Sequence, residues 1–229
     1  MRRKKNFSDR TGVDLVAYTH PYLPITEQYR LIRTNILFSS VDKEIKTILI
    51  TSPDPAEGKS TTSANLAIVL AQQGKNVLLV DADLRKASVH YSFNISNMNG
   101  LTNILTRMTT TSETISKTHI PNLEVLPSGP IPPNPSELLN SEAMEKVMKE
   151  LKHRFDYIIF DTPPVLAVTD SQVLANKCDG VVMVVASGKT RKDRALQSKE
   201  LLIKAKSQLL GVIVNGVEST KMEYYNQYK

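Results

Sequence analysis

The stretch Ile48-Leu49-Ile50-Thr51-Ser52-Pro53-Asp54-Pro55-Ala56-Glu57-Gly58-Lys59-Ser60-Thr61-Thr62 decides the fold, because it indicates a buried strand, a turn and a helix start. The segment after the turn is helical in composition and ends at Gly74. A Gly-Lys-Ser turn in this setting supplies what a polyphosphate needs: inward-pointing backbone N–H groups, a lysine for the phosphate oxygens and a hydroxyl for Mg²⁺. We therefore predict a nucleotide-binding loop here.

The residues predicted to hold the nucleotide follow one another along the turn and the first helical residues. They are Ala56, Glu57, Gly58, Lys59, Ser60 and Thr61. The usual pattern has a glycine five residues before Gly58, and Pro53 occupies that position here. A short Gly-Lys-Ser sequence alone is more often an ordinary surface turn, so the prediction depends on the strand and helix around it.

The whole chain has the composition of an ordinary soluble globular protein. Its 229 residues fit one domain, with 41% hydrophobic and 23% charged residues. The longest apolar runs have the length of a strand, and the basic N-terminal run is followed by polar residues, so we expect neither a membrane span nor a secretory signal. The single cysteine, Cys178, fits a reducing compartment, and the four histidines lie far apart without the spacing of zinc ligands.

The net charge of +6 suggests an affinity for an anionic partner such as a nucleotide, an acidic membrane or a nucleic acid. Aromatic residues make up 6% of the chain, tryptophan is absent, and no basic stripe is interleaved with aromatic residues. This composition argues against nucleic acid as a partner.

Three segments differ in organisation. Residues 1–22 lack periodicity and are expected to form a flexible, loosely ordered arm. Residues 23–218 form the nucleotide-binding domain. Residues 219–229 form a tyrosine-rich tail, in which we expect Tyr224, Tyr225 and Tyr228 to be exposed and accessible to an enzyme that acts on tyrosine.

Two further apolar strands end abruptly in acidic residues. One runs into Asp81-Ala82-Asp83 and the other into Asp161. Strands this apolar must be covered on both faces, and their alternation with helices predicts an α/β fold with a doubly wound, mostly parallel sheet flanked by helices. One of these helices is expected to be capped by Thr169-Asp170. The acidic residues would then lie at the sheet edge where ligands of such folds bind.

These strand ends supply the parts for phosphoryl transfer, which depends on positioning and charge neutralisation. Lys59 would contact the phosphates, Ser60 would bind Mg²⁺ directly, and Asp161 would hold the metal or its water, with Asp81 as a further candidate ligand. Asp81 or Asp83 could polarise an acceptor hydroxyl such as a tyrosine phenol.

A structural explanation of the acidic residues stays open. One of the aspartates could merely cap a helix or bind Arg85. Asn215-Gly216 at the end of the last strand is expected to line an adenine. No Asn-Lys-x-Asp sequence of a guanine-reading loop follows Val214, so ATP is favoured over GTP.

A predicted helix over residues 25–38 carries Glu27, Arg30 and Arg33 at helical neighbour spacing. These residues could form an intrahelical salt-bridge face of small energy. They could equally form a charged contact with another subunit, and the sequence pattern does not decide between the two.

The order of these motifs resembles the bacterial tyrosine kinases of capsular and exopolysaccharide biosynthesis over residues 24–229. The matching stretches are Pro53-Asp54-Pro55-Ala56-Glu57-Gly58-Lys59-Ser60, Leu79-Val80-Asp81-Ala82-Asp83-Leu84-Arg85, Ile159-Phe160-Asp161-Thr162-Pro163-Pro164 and the terminal tyrosine cluster. The resemblance implies a P-loop NTPase fold of the deviant Walker A group, with a second Asp-x-Asp motif and a Walker B strand. It also implies an ATP- and Mg²⁺-dependent protein-tyrosine kinase.

The resemblance further implies that Glu27, Arg30 and Arg33 are the family's Glu-x-x-Arg-x-x-Arg subunit contact. The tail tyrosines would then be autophosphorylated in trans within a ring of unphosphorylated subunits, which cycles with free subunits. The chain looks like the family's short cytoplasmic form, which a separate transmembrane adaptor activates and brings to the inner face of the membrane. A cognate tyrosine phosphatase and other protein substrates are the further partners implied.

Two other functions stay open. Partition-type ATPases share this fold, but they carry an extra lysine at the position of Asp54. A non-catalytic scaffold that ATP only switches would bind the nucleotide without labelling the tail. Pro53 and Ala56 depart from the kinase pattern, in which glycine or another small residue is common at the first of these positions and glycine at the second.

Overall fold

The computed structural model describes residues 12–39 and 44–217. Its centre is a seven-stranded sheet in the order β3-β4-β2-β5-β1-β6-β7. The strands are β1 (Thr47–Thr51), β2 (Val77–Asp81), β3 (Ser116–Lys117), β4 (Leu123–Leu126), β5 (Tyr157–Asp161), β6 (Gly180–Ala186) and β7 (Leu209–Asn215). Every neighbouring pair is parallel except β3 and β4, so the predicted mostly parallel sheet is confirmed.

Helices cover both faces of the sheet. In chain order they are α1 (Val16–Thr19), α2 (Pro24–Phe38), α3 (Lys59–Ala71), α4 (Val89–Phe93), α5 (Leu101–Leu105), α6 (Thr111–Thr114), α7 (Pro135–Asn140), α8 (Glu142–Arg154), α9 (Asp170–Ala175) and α10 (Lys192–Lys204). None of the helices in the described part of the chain is both long and apolar enough to span a bilayer.

The central strand β1 shows why the sheet is doubly wound. Ile48 and Ile50 point into an apolar cluster that includes residues of α3, whereas Leu49 between them points into a second cluster that includes Leu151 of α8. Successive side chains of a strand point to opposite faces, so an uninterrupted apolar run requires a cover on each side.

The strand register brings the acidic strand ends together. Ile50 of β1 is paired with Asp161 of β5, and Asp161 is paired with Asp81 of β2. The loop after β1 therefore leaves the sheet at the same edge as both carboxylates, as the sequence pattern predicted.

The expected loose N-terminal arm is wrong for residues 12–22. Ala17 in α1 is fully buried, and its backbone is bound on both sides by side chains from α3 and from Gln72 at its C-terminal end. Asn65 accepts from the Ala17 N–H at 2.9 Å, and Gln72 donates to the Ala17 carbonyl at 2.9 Å. This short helix is held by hydrogen bonds to other side chains and not by an apolar stripe of its own, so its sequence shows no periodicity. Residues 1–11 and the tyrosine-rich residues 218–229 lie outside the described residues.

Candidate active site

The nucleotide loop, residues 52–58, connects β1 to α3 and requires unusual backbone angles. Gly58 has a φ of +92°, and a Cβ atom at this position would lie 2.0 Å from the Asn215 side-chain nitrogen. Ala56 also adopts a left-handed conformation, with a φ of +60°. Glycine adopts such angles without strain. Ala56 replaces the glycine that is common in the kinase family, and its backbone conformation is one that favours glycine.

Lys59 is the first residue of α3, and its ammonium group lies among carboxylates. Its Nζ is 3.5 Å from Asp83 Oδ2, and its side chain is only 14% exposed. Burial alone would lower the pKa of Lys59, but the nearby carboxylates of Asp161, Asp83 and Asp81 raise it above its ordinary value. The lysine is therefore held positively charged at the mouth of the loop.

Asp161 lies at the end of β5 and is completely buried. Its Oδ1 accepts a hydrogen bond from Ser63 at 3.2 Å, and the nearby Ser60 hydroxyl acts to lower the pKa of this carboxylate. Its Oδ2 is buried without a hydrogen-bond partner among the described residues. Burial raises the pKa of Asp161, and the positive charge of Lys59 opposes that rise.

The Ser60 and Asp161 pair fits the predicted metal site. A buried carboxylate oxygen without a donor is costly unless a cation or water meets it. Mg²⁺ commonly takes one or two oxygen ligands from the protein and the rest from water and phosphate. Within the described ranges no group of three or more His, Cys, Asp or Glu side chains is placed to hold a metal, and a Mg²⁺ bound in this way requires none.

Asp81 has a structural role as well as a place in the site. Its Oδ2 accepts the N–H groups of Ser88 and Val89, each at 3.0 Å, which caps the start of α4. Burial and the neighbouring Asp161 raise the pKa of Asp81 to about 8. The helix-capping alternative is thus correct for Asp81, and with a pKa near 8 its carboxyl group acts on Lys59 as a charge only at alkaline pH.

Asp83 bridges its own loop and the lysine. Its Oδ1 accepts the Lys86 N–H at 2.9 Å, and its Oδ2 faces Lys59. Of the two aspartates, Asp83 is therefore the one that forms an ion pair with Lys59.

Neither of these aspartates binds Arg85, so that alternative is wrong. The Arg85 guanidinium instead makes a two-pronged bond to the buried Asp170, at 2.9 and 3.1 Å. The expected cap at the start of α9 is wrong in part, because the Thr169 side chain makes no capping hydrogen bond. The carboxylate of Asp170 serves the Arg85 contact, which ties the loop after β2 to α9.

Asn215 lies against the loop. Its side-chain nitrogen donates to the carbonyl of Glu57 at 3.0 Å. The structure thus gives Asn215 a protein partner that the sequence did not predict, and the adenine contact stays a prediction. Three further residues at the loop, Lys189, Thr190 and Arg194, were missed. Their position in the sequence could have indicated them. They follow β6, and the carboxyl end of β6 lies at the same edge of the sheet as the loop.

The charged residues of α2 are not brought to the nucleotide loop. Arg30 forms an ion pair with Glu27 in its own helix and donates to the Pro21 carbonyl at 3.0 Å. Arg33 donates to the Val69 carbonyl of α3 at 2.7 Å. The intrahelical pair that the spacing suggested is present, and the arginines also fix α2 to its own chain.

Comparison with known proteins places these motifs in a family. The family model described as AAA domain matches residues 45–210. Tyrosine-protein kinase YwqD of Bacillus subtilis (strain 168) is 50% identical over 228 residues, which cover 100% of this chain and 96% of that protein. The putative tyrosine-protein kinase CapB of Staphylococcus aureus is 42% identical, with coverages of 100% and 98%.

Solved structures agree with this relationship. The chimerical protein CapA2B2 is 42% identical with a TM-score of 0.87, over 91% of this chain and 93% of that chain. The kinase domain of the Escherichia coli tyrosine kinase ETK has the same TM-score at 31% identity, over 98% and 88%. The cell division ATPase MinD of Pyrococcus furiosus is less similar, with a TM-score of 0.64 at 26% identity over 74% and 71%. The chain therefore belongs to the bacterial tyrosine-protein kinases, and the resemblance carried by its motifs is confirmed.

Proposed function

We propose that this chain transfers the γ-phosphoryl group of ATP to protein tyrosines, with Mg²⁺ as cofactor. The observation that carries the proposal is the meeting of Lys59 with the carboxylates of Asp83 and Asp161 at one sheet edge, beside the loop. Phosphoryl transfer needs a cradle for the phosphates, cations against their charge and an acceptor held in line. The residues at this edge supply the first two requirements.

Each residue has a role that follows from its position. The N–H groups of the loop and the positive end of α3 face the phosphates, and Lys59 neutralises the charge that develops on the transferred group. Ser60 and Asp161 would hold Mg²⁺, which supplies further positive charge when bound. The phenol oxygen of the acceptor attacks the γ-phosphorus as the bond to ADP breaks. Asp83 or Asp81 takes the phenolic proton.

The acceptors are proposed to be the tail tyrosines Tyr224, Tyr225 and Tyr228. The last strand, β7, ends at Asn215, whose side chain contacts the loop. The last described residues before the tail, 216 and 217, therefore directly follow a strand end that contacts the loop. We propose that the tail of one subunit is phosphorylated by another, within a ring of unphosphorylated subunits.

The surface of α2 supports its role as the contact of that ring. Leu31 and Phe38 are 54% and 73% exposed. They lie at helical spacing on the same stripe as the exposed Glu27, so an acidic group and two uncovered apolar side chains face the same direction. An apolar stripe beside a charge on the surface is typical of a contact surface for another protein.

The relatives suggest the system in which the kinase acts. One solved relative is the chimerical protein CapA2B2, in which parts of two proteins are joined in one chain. We propose that a transmembrane adaptor recruits the chain from the cytoplasm to the inner face of the membrane and activates it. Phosphorylation would then regulate capsular or extracellular polysaccharide synthesis and export, a cognate phosphatase would reverse it, and other protein substrates would be modified as well.

The proposal is tested with the purified chain, ATP and Mg²⁺, with and without the cytosolic tail of the adaptor. We expect phosphotyrosine on the tail, detected by mass spectrometry. Lys59→Met should lose both ATP binding and phosphotyrosine, whereas the exposed Lys75→Met, which removes an equal charge away from the site, should keep both. ATP hydrolysis without phosphotyrosine would instead indicate a partition-type ATPase, and ATP binding with neither would indicate a scaffold.

A further inference from the structure

Two consecutive carbonyls of the nucleotide loop are held from outside the site. Lys189 Nζ donates to the Ala56 carbonyl at 3.0 Å, and Asn215 Nδ2 donates to the Glu57 carbonyl at 3.0 Å. In a planar trans peptide, the C=O and the following N–H point in opposite directions. Fixing these two carbonyls outward therefore directs the N–H groups of Glu57 and Gly58 inward, where a phosphate would lie.

The Glu57 side chain makes a second set of hydrogen bonds that hold the loop backbone in place. It is 1% exposed, and its Oε2 accepts the Asp54 N–H at 3.0 Å across the loop. Its Oε1 accepts a hydrogen bond from the Thr190 hydroxyl. The same hydroxyl accepts the Ala186 N–H at 2.7 Å, so its own proton is directed to Glu57. The buried carboxylate thus connects the loop to the turn between β6 and α10.

A salt bridge connects the same elements at the start of the loop. The Arg194 guanidinium in the first turn of α10 makes a two-pronged contact with the Asp54 carboxylate. These hydrogen bonds hold the pKa of Asp54 below its usual value. Both acidic residues of the loop, Asp54 and Glu57, are therefore bound to side chains of the segment 190–194.

The loop needs such support because of its sequence. An L-residue in the left-handed region costs about 1 kcal/mol relative to glycine, and Ala56 occupies that region. A strained conformation persists only where the surrounding structure holds it. Here the holding contacts come from residues 186–194 and from Asn215, more than a hundred residues further along the chain.

We propose that Glu57 and Thr190 are a positioning pair that sets the loop conformation for ATP, so that the turn after β6 controls nucleotide affinity from outside the site. The inference rests on the proposed function of the loop as the ATP site. In this account the Thr190 side chain touches neither ATP nor the acceptor, and it acts only through Glu57. The Glu57 carboxylate orients the backbone of its own loop.

The test compares three threonine variants in the full-length chain. Thr190→Val removes the hydroxyl with little change of shape, and Thr190→Ser restores it. Thr118→Val is the matched control. The Thr118 hydroxyl also accepts one backbone N–H, from Ile120, and donates to another group, the Leu123 carbonyl, but it lies at the opposite edge of the sheet. Thermal unfolding without nucleotide confirms that each variant is folded.

We expect Thr190→Val to weaken Mg²⁺–ATP binding about tenfold, the scale set by a hydrogen bond to a charged group. The KM for ATP should rise by a similar factor while kcat changes less, because the loop orients the nucleotide without taking part in the transfer. Thr190→Ser should bind ATP within about twofold of the unaltered chain, since it keeps the bond to the carboxylate. Thr118→Val should leave ATP binding unchanged.

Glu57→Gln provides an independent route to the same answer. It replaces one carboxylate oxygen by an amide NH2 that cannot accept, so either the Thr190 or the Asp54 hydrogen bond is lost and ATP binding should weaken as well. The double variant should lose less than the sum of the two single losses, because the charge-assisted bond between Thr190 and Glu57 is absent in both single variants. Additive losses would overturn the pairing.

The outcomes separate this inference from the proposed function. If the unaltered chain binds ATP and Thr190→Val binds it equally well, the positioning pair is overturned and the ATP site stands. If the unaltered chain does not bind ATP, the proposed function fails and the inference fails with it.

Discussion

Replacement of Glu27 by alanine separates the contacts of α2 within its own chain from those it is proposed to make with another subunit. Within the chain, Glu27 pairs with Arg30 one helical turn away, and the two side chains are 62% and 28% exposed. Exposed pairs of this kind contribute only about 0.3–0.5 kcal/mol to stability. The free energy of unfolding of the single subunit should therefore fall by less than about 0.5 kcal/mol.

The assembly should respond much more strongly. Removing one partner of a charge pair that is buried in an interface reduces the free energy of association by about 2–5 kcal/mol. Association then weakens by a factor of about thirty or more. Sedimentation velocity over a range of concentrations should show the large species of the unaltered chain replaced by single subunits. The exposed Glu200→Ala on α10 is the matched control and should sediment like the unaltered chain.

This single change is a sharper test than replacing Glu27, Arg30 and Arg33 together by alanine, which should also abolish the large species. Arg33 donates to the Val69 carbonyl, so its removal also weakens the packing of α2 on α3. The loss of such a bond costs about 1–3 kcal/mol of folding stability. A sedimentation profile of Glu27→Ala that matches the unaltered chain, with the fold intact, would refute the role of α2 as the ring contact.

Two further predictions concern stability. Burial alone would raise the pKa of Asp179, but hydrogen bonds from Thr47 and Lys152 hold it below its ordinary value of 3.8. The ionised carboxylate therefore stabilises the fold above this pH, and its contribution to stability decreases as the pH falls further. Asp179→Asn should cost about 2 kcal/mol at pH 7 and less at pH 3, measured by urea unfolding, and an equal loss at both pH values would contradict this. Ala56→Gly should relieve the left-handed strain, stabilise the chain by about 0.5 kcal/mol and raise the thermal midpoint by about 1–2 °C. A lower midpoint would show that Ala56 is not strained.

The sheet and its acidic edge could be predicted because both follow from local patterns. Continuous apolar runs that end in a carboxylate identify buried parallel strands, and parallel strands place their carboxyl ends at one edge. The meeting of Lys59, Asp83 and Asp161 needed no knowledge of the strand order, since any parallel arrangement brings these ends to the same side.

The contacts between distant side chains could not be predicted in the same way. Asp170 binds Arg85 only because β5 lies beside β2, and Thr190 binds Glu57 only because β6 lies beside β1. Apolar runs do not specify which strands are neighbours. The packing of α1 was missed for a related reason, since its hydrogen bonds come from α3 rather than from its own pattern.

The central claim is that this chain is a tyrosine kinase that phosphorylates the tail of another subunit through the site at Lys59. Its most direct test mixes two full-length variants with ATP and Mg²⁺ in the presence of the adaptor's cytosolic tail. One is Lys59→Met with its tyrosines intact, and the other has an intact site with Tyr224, Tyr225 and Tyr228 changed to Phe. Mass spectrometry should find phosphate on the tail of the Lys59→Met chain in the mixture and none when that chain is incubated alone. Phosphate that is absent from the mixture, although the unaltered chain labels its own tail, would contradict transfer between subunits; phosphate on the Lys59→Met chain alone would contradict the assigned site.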